Sequence, residues 1–147
     1  MKFPGRGGLV FSKALVVWRG VSADGAMPGK SEGLGEAPRS LTTRFESGRG
    51  RNPEEMLAAA HAGCFTAALA FSLEAAGYTP TELSTEAVVT QKAEGPGVRI
   101  SGSALTLRAK VPRLTRGTLE TMAWHALSGC AISKALRTQI RLDAQLL

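Results

Sequence analysis

The feature that most constrains the fold is an alanine-rich apolar segment that runs from Met56 to Ala76. Asn52, Pro53 and two glutamates precede it, a combination that caps the first amide groups of a helix and complements its dipole. Gly77 follows, and glycine readily takes the left-handed conformation that ends helices. The segment therefore predicts one long helix that begins at Asn52 and Pro53 and ends near Ala76.

This helix is apolar on nearly every face, which by length alone would suit a membrane span. Alanine, however, contributes little to membrane insertion, and Glu55, His61 and Glu74 interrupt the stretch. We therefore expect a central helix that is covered by protein and does not span a membrane.

The rest of the chain predicts strands and shorter helices. Apolar and polar residues alternate on both sides of a turn at 94–97, as in a hairpin, while residues 20–38 are rich in Gly and Pro and predict a loop. The predicted strands are 8–17, 40–46, 82–91, 98–111 and 140–146, and the shorter helices are 114–127 and 131–137, with Cys130 at the break between them. No repeat or second domain is needed, so we expect one domain over residues 1–147.

The chain carries a formal net charge of +6, which raises the question of a nucleic-acid partner. Its basic residues are scattered from Lys2 to Arg141, and neither an aromatic stacking platform nor a known nucleic-acid motif accompanies them. We expect a generally basic surface without nucleic-acid binding.

The two cysteines, Cys64 and Cys130, carry the most chemical information. The first thirteen residues lack the apolar core of a secretory signal, so we expect a cytoplasmic protein. In that compartment a cysteine pair is two buried thiols, a metal site or a redox couple. Cys64 lies about three turns inside the predicted helix, beyond the reach of its dipole, so a thiolate there needs a nearby cation such as Arg44 or Arg51. Glu54 is a candidate partner for that cation.

Three short motifs carry a family resemblance. The most specific is Asn52-Pro-Glu-Glu-Met-Leu-Ala-Ala-Ala-His-Ala-Gly-Cys64-Phe65. The other two are Thr43-Arg44-Phe45-Glu46 and Ser128-Gly-Cys130-Ala-Ile-Ser133, the latter followed by a leucine-rich closing strand. Together they resemble the OsmC/Ohr peroxidases, more closely the OsmC branch, over roughly residues 40–147. Residues 1–39 resemble the family only loosely.

The resemblance implies an α+β fold, with antiparallel sheets packed around a long central helix in an intertwined homodimer. It implies that Cys64 attacks an organic hydroperoxide and that Cys130 resolves the oxidised sulfur as a disulfide, with Arg44 and Glu54 completing the site. It further implies that an external dithiol of the lipoyl type regenerates the thiols and that no bound cofactor is needed. Ala131 stands where relatives commonly have proline, which predicts a looser turn around Cys130.

The spacing within the helix restricts how such a site is built. Glu54 and Cys64 are ten positions apart, or about 15 Å along a helix axis. Either a long Arg44 side chain bridges them, or the arginine and glutamate come from the other subunit, and we favour the second arrangement. Candidate lining residues for an apolar substrate pocket, which are also ordinary core residues, are Phe65, Leu69, Phe71, Met122 and Trp124.

Two other functions are compatible with the sequence. His61, Cys64, His125 and Cys130 are of the residue types that bind zinc, although their spacing matches no common zinc motif. Alternatively, the cysteines are structural and the loop at residues 47–51, which alternates glycine and arginine, binds an anion such as nucleic acid.

Overall fold

The computed structural model describes residues 9–20, 41–45 and 53–147. These residues form a mixture of strands and helices, which confirms the predicted α+β class. The elements are β1 (Leu9–Arg19), β2 (Leu41–Phe45), α1 (Pro53–Ala75), β3 (Glu82–Glu94), β4 (Gly97–Lys110), α2 (Arg116–Gly129), α3 (Ala131–Ala135) and β5 (Gln139–Leu146). The predicted loop at 20–38, the Asn52 cap and the basic loop at 47–51 lie outside the described residues, apart from Gly20.

The five strands form a single sheet in the order β2-β1-β3-β4-β5. All neighbouring pairs are antiparallel except β4 and β5, which are parallel. A parallel pair needs a crossover connection, which α2 and α3 supply because they lie between β4 and β5 in the chain. Among the described residues, the strands thus form one mixed sheet, against which α1 and α2 pack.

The core lies between α1 and one face of the sheet. Alternate residues of β1 are buried, among them Val16 and Trp18, and α1 contributes Phe65, Leu69 and Leu73, all without exposed surface. Trp18 also meets Phe71 of α1 edge to face, with ring centroids 6.4 Å apart. These large side chains fix α1 against the strands.

Helix α1 ends as the sequence predicts, and only part of its surface is covered. Gly77 has a φ of 89°, and the Tyr78 N–H donates to the Leu73 carbonyl at 2.9 Å, which closes the last turn. By length and composition α1 could cross a membrane, but 56% of its most apolar window is buried within the protein. Its opposite side remains accessible in one chain, where Met56 is 57% exposed.

Cys130 connects the two shorter helices. Thr115 begins α2 by accepting a hydrogen bond from the Thr118 N–H, and α2 packs on the core through residues such as Leu119. The Cys130 N–H then donates to the Leu127 carbonyl at 3.2 Å, while the Cys130 carbonyl accepts from the Lys134 N–H at 3.1 Å. The predicted break at Cys130 is confirmed.

Candidate functional site

The two cysteines, which are far apart in the sequence, meet in the structure. Cys64 lies in the middle of α1, and Cys130 lies at the junction of α2 and α3. Both are free thiols, Cys130 is 1% exposed, and Cys64 is half-buried. Their side chains are hydrogen-bonded to each other. The structure therefore brings together two thiols, one of them partly accessible.

The surroundings of Cys64 favour its neutral form in a single chain. Burial raises the pKa of the Cys64 thiol, and so does the hydrogen bond with Cys130. Backbone N–H groups of Ile132 and Ala131 hydrogen-bond to Cys64 and lower its pKa, but they act against the larger effect of burial. Among the described residues, no lysine or arginine contributes to this balance. Residues 9–20, 41–45 and 53–147 thus supply the thiol but no cation beside it, and the candidate Arg51 lies outside these ranges.

Arg44 lies on the wrong face of the sheet to reach Cys64 within the same chain. It pairs with Leu15 across β2 and β1. The neighbours of Leu15, which are Ala14 and Val16, are buried beneath α1, so Leu15 and Arg44 point to the opposite face. Arg44 is exposed there. The sheet thus separates the candidate guanidinium from the candidate nucleophile of its own chain.

Glu54 lies at the first turn of α1, away from the cysteine pair. Its carboxylate accepts a hydrogen bond from the Gln91 side-chain amide on β3. Gln91 is 3% exposed and follows a register shift between Thr90 and Gln91 in the pairing of β3 with β4. This contact orients Glu54 at one end of the helix, while Cys64 lies about three turns further along.

His61, one turn before Cys64, is completely buried and is fixed by two hydroxyl groups. Its Nδ1 lies 2.7 Å from Ser103 Oγ on β4, and its Nε2 lies 2.8 Å from Ser133 Oγ on α3. Burial lowers the pKa of His61, so the neutral ring is favoured. With both ring nitrogens hydrogen-bonded, His61 links three elements of the fold.

The residues considered for zinc do not form a binding cluster. Within residues 9–20, 41–45 and 53–147, no group of three or more His, Cys, Asp or Glu side chains could hold a metal ion. The two nitrogens of His61 are hydrogen-bonded to serines, and His125 is exposed on α2. The arrangement is not that of a zinc site.

The apolar residues considered for a substrate pocket lie mostly in the core. Phe65 and Leu69 have no exposed surface, and Phe71 and Met122 pack against the core, whereas Trp124 is 49% exposed. Another depression, of about 210 Å³, lies over β3, β4 and β5 and includes Arg141 in its lining but neither cysteine. Of the two alternatives for Phe65 and Leu69, the structure favours that of ordinary core residues.

Sequence reasoning missed three residues that organise this region. Ser133 was part of a recognised motif but had no assigned role, and Ser103 and Gln91 belong to strands whose alternation predicts only which residues are buried. For Ser103 and Gln91, the available signal is a polar residue at an inward-facing strand position. For Ser133, it is a polar residue one helical turn after a cysteine. Their partners are known only from tertiary contacts.

Comparisons with known proteins agree with the fold and with the motifs. The family described as OsmC-like protein matches residues 46–145. The chain is 36% identical to the peroxiredoxin OsmC of Escherichia coli (strain K12) over 139 residues, which cover 93% of this chain and 97% of that protein. The peroxiredoxin OsmC of Shigella flexneri matches to the same extent.

Solved structures agree as well. The OsmC-like protein of Mycoplasma pneumoniae aligns with a TM-score of 0.61 at 14% identity and covers 76% of this chain and 86% of that chain. An OsmC-like protein of unknown function from Vibrio cholerae aligns with a TM-score of 0.59 at 16% identity, over 92% of this chain and 98% of that chain. At these identities the structures support the fold alone.

Proposed function

Because the chain belongs to the OsmC-like protein family, we propose that it is a thiol-dependent peroxidase that reduces organic hydroperoxides to alcohols. The family resemblance predicted from the motifs is confirmed by the match over residues 46–145. A peroxidase role is supported by the relative in Escherichia coli, which carries the name peroxiredoxin.

The contact between Cys64 and Cys130 is the observation that carries this proposal. A buried cysteine is usually a small apolar residue, and such a residue has no need of a second thiol. Here a half-buried thiol and a fully buried thiol from separate helices are hydrogen-bonded to each other. Two neighbouring thiols from separate helices support the proposal of a redox couple.

In the first proposed step, the Cys64 thiolate attacks one oxygen of the hydroperoxide. The O–O bond breaks, the leaving alkoxide takes a proton and departs as an alcohol, and Cys64 is oxidised to a sulfenic acid. The partial exposure of Cys64 is consistent with access by a small substrate.

In the second step, Cys130 attacks the sulfur of that sulfenic acid. The S–S bond forms, the S–O bond breaks, and the hydroxyl group leaves as water with the proton of the Cys130 thiol. An external dithiol, for which a lipoyl group is our candidate, then reduces the disulfide by exchange. We expect no bound cofactor in this cycle and a cytoplasmic location, where such reductants keep thiols reduced.

The activating cation is assigned to a second subunit. Arg44 and Cys64 lie on opposite sides of the sheet in one chain, and the pKa of Cys64 is raised there. In our proposal, Arg44 of a second subunit favours the thiolate and stabilises the negative charge on the peroxide oxygens, while Glu54 orients its guanidinium. This requires a homodimer with sites at the interface.

The proposal is tested by the consumption of cumene hydroperoxide in the presence of excess dithiothreitol. We expect turnover by the wild type and none by Cys64→Ser. Cys130→Ser is measured without dithiothreitol, which would itself reduce the sulfenic acid, and should consume one equivalent of hydroperoxide per chain. Ser128→Ala is the matched control. Ser128 lies two residues before Cys130, is exposed, and donates a hydrogen bond to the Trp124 carbonyl. Equal turnover by wild type and Cys64→Ser would refute the proposed function.

A further inference from the structure

The hydrogen bonds of His61 are not used by the chemistry proposed above. The ring has no exposed surface, and it connects α1 to β4 through Ser103 and to α3 through Ser133. A neutral imidazole has one donor and one acceptor nitrogen, and here each nitrogen has a hydroxyl group within 2.8 Å, so the ring is held from both sides. The contact with Ser133 is of particular interest because α3 begins at Cys130.

Two contacts between α1 and α3 have matching spacings. His61 precedes Cys64 by three residues, and Ser133 follows Cys130 by three residues. Residues three apart lie on the same side of a helix, one turn from each other. The bond between His61 and Ser133 therefore lies about one turn from the contact between the two cysteines.

Helix α3 has few other means of staying in place. It has five residues, none of them is buried, and no side chain caps its first turn. A helix this short is not stable by itself, so contacts with its neighbours decide where it lies. A hydrogen bond to a fully buried ring is one such contact.

We propose that His61 is a positioning residue whose hydrogen bond to Ser133 keeps the start of α3 against the Cys64 sulfur. The bond holds Cys130 within reach, so that the disulfide forms without first ordering α3. It also holds the N–H groups of Ala131 and Ile132 on the Cys64 sulfur. The use of this arrangement in a catalytic cycle rests on the proposed function, but the positioning itself is a property of the thiol pair.

The two ring nitrogens allow a test with paired conservative variants. The amide of glutamine reaches the position of Nε2, so His61→Gln keeps the bond to Ser133 and loses that to Ser103. Asparagine is shorter and reaches the position of Nδ1, so His61→Asn keeps Ser103 and loses Ser133. Ser133→Ala removes the same bond from the other side at a half-buried position that tolerates alanine.

The quantity to measure is the effective concentration of the two thiols, from the equilibrium between dithiol and disulfide in glutathione buffers. We expect Ser133→Ala and His61→Asn to lower it roughly threefold to tenfold, the range expected for one net hydrogen bond, and His61→Gln to stay within about twofold of the wild type. The double variant His61→Asn/Ser133→Ala should lose no more than either single variant, because both remove the same bond.

Thr66→Val is the matched control. It removes a 2.7 Å hydrogen bond between buried side chains of α1 and β3, Thr66 and Thr85, that does not involve α3. We expect it to lower thermal stability without changing the thiol equilibrium. Equal losses in His61→Gln and His61→Asn, or a wild-type equilibrium in Ser133→Ala, would show that His61 is merely structural. Hydroperoxide is not used, so a failure of the proposed function leaves this result unaffected.

Discussion

The two halves of the proposed site differ in how completely one chain assembles them. The sulfur half, made of Cys64 and Cys130, is in contact within a single chain and is braced by a buried histidine. The charged half is divided, since Arg44 lies across the sheet from Cys64 and Glu54 lies three turns away along α1. In our proposal, disulfide formation is thus a property of one chain, whereas Arg44 of a second chain activates the thiol.

This division makes chemical sense for a peroxidase. A thiol with a raised pKa reacts slowly, so an isolated chain is protected from unspecific oxidation. The accessible side of α1 includes Met56, which is 57% exposed about two turns before Cys64, and in our proposal a second subunit covers it. Association would then complete the site and bury this surface together.

The largest effect is expected from removing the guanidinium. Arg44→Ala should lower kcat/KM for cumene hydroperoxide by about 100-fold or more, the loss typical for one preorganised donor to developing charge. It should also raise the pKa of Cys64, measured by thiolate absorbance at 240 nm. Arg19→Ala is the matched control, because Arg19 is an exposed residue of the neighbouring strand that pairs with Glu82. Comparable losses in both variants would count against a specific role for Arg44.

A smaller effect is expected from the residue that orients the guanidinium. Glu54→Gln should reduce kcat/KM about tenfold, because a neutral amide holds an arginine less firmly than a carboxylate does. Glu120→Gln serves as control, since Glu120 is an exposed residue of α2 that lies 3.9 Å from Arg116. If Glu54→Gln retains full activity, Glu54 is only the residue at the start of a helix.

The smallest effect concerns stability and the sulfur half of the site. Burial lowers the pKa of His61, so the unfolded chain binds a proton more readily than the folded one below about pH 6.5. The free energy of unfolding should therefore fall as the pH is lowered from 7 to 5, by at most about 1.4 kcal/mol per pH unit from this residue.

His61→Gln should flatten this dependence, whereas His125→Gln, at an exposed position on α2, should not change it. The measurement is urea unfolding at several pH values between 5 and 8. The assignment fails if His61→Gln retains the wild-type dependence of the unfolding free energy on pH. The ring itself contacts the hydroxyl groups of Ser103 and Ser133.

Much of the fold could be predicted because local signals determine it. Pro53 and Gly77 mark the ends of α1, and the alternation in β3 and β4 marks a hairpin. The parallel direction of β5 could not be read from its own alternation, because alternation is the same in either direction and the connection decides.

The candidate site was predictable to the level of residue types. A resemblance in the motifs predicted Cys64 and Cys130 as a pair, and the structure places them in contact. The bonds from His61 to Ser103 and Ser133 could not be predicted, because sequence separations of 42 and 72 residues leave no local pattern. The position of Arg44 on the outer face depends on the register of β2 against β1, which an exposed five-residue strand does not specify.

The most direct test of the divided site mixes inactive subunits. Cys64→Ser protein is combined with an equal amount of Arg44→Ala protein, and subunit exchange is verified by native mass spectrometry. Half of the dimers are then mixed, and each contains one complete site, so we expect about a quarter of the wild-type turnover. A mixture of Cys64→Ser with Cys130→Ser, treated with hydroperoxide in the absence of dithiol, should form no disulfide between positions 64 and 130, because both sulfurs must come from one chain. Mixed dimers of the first kind that form but show no turnover would contradict the account.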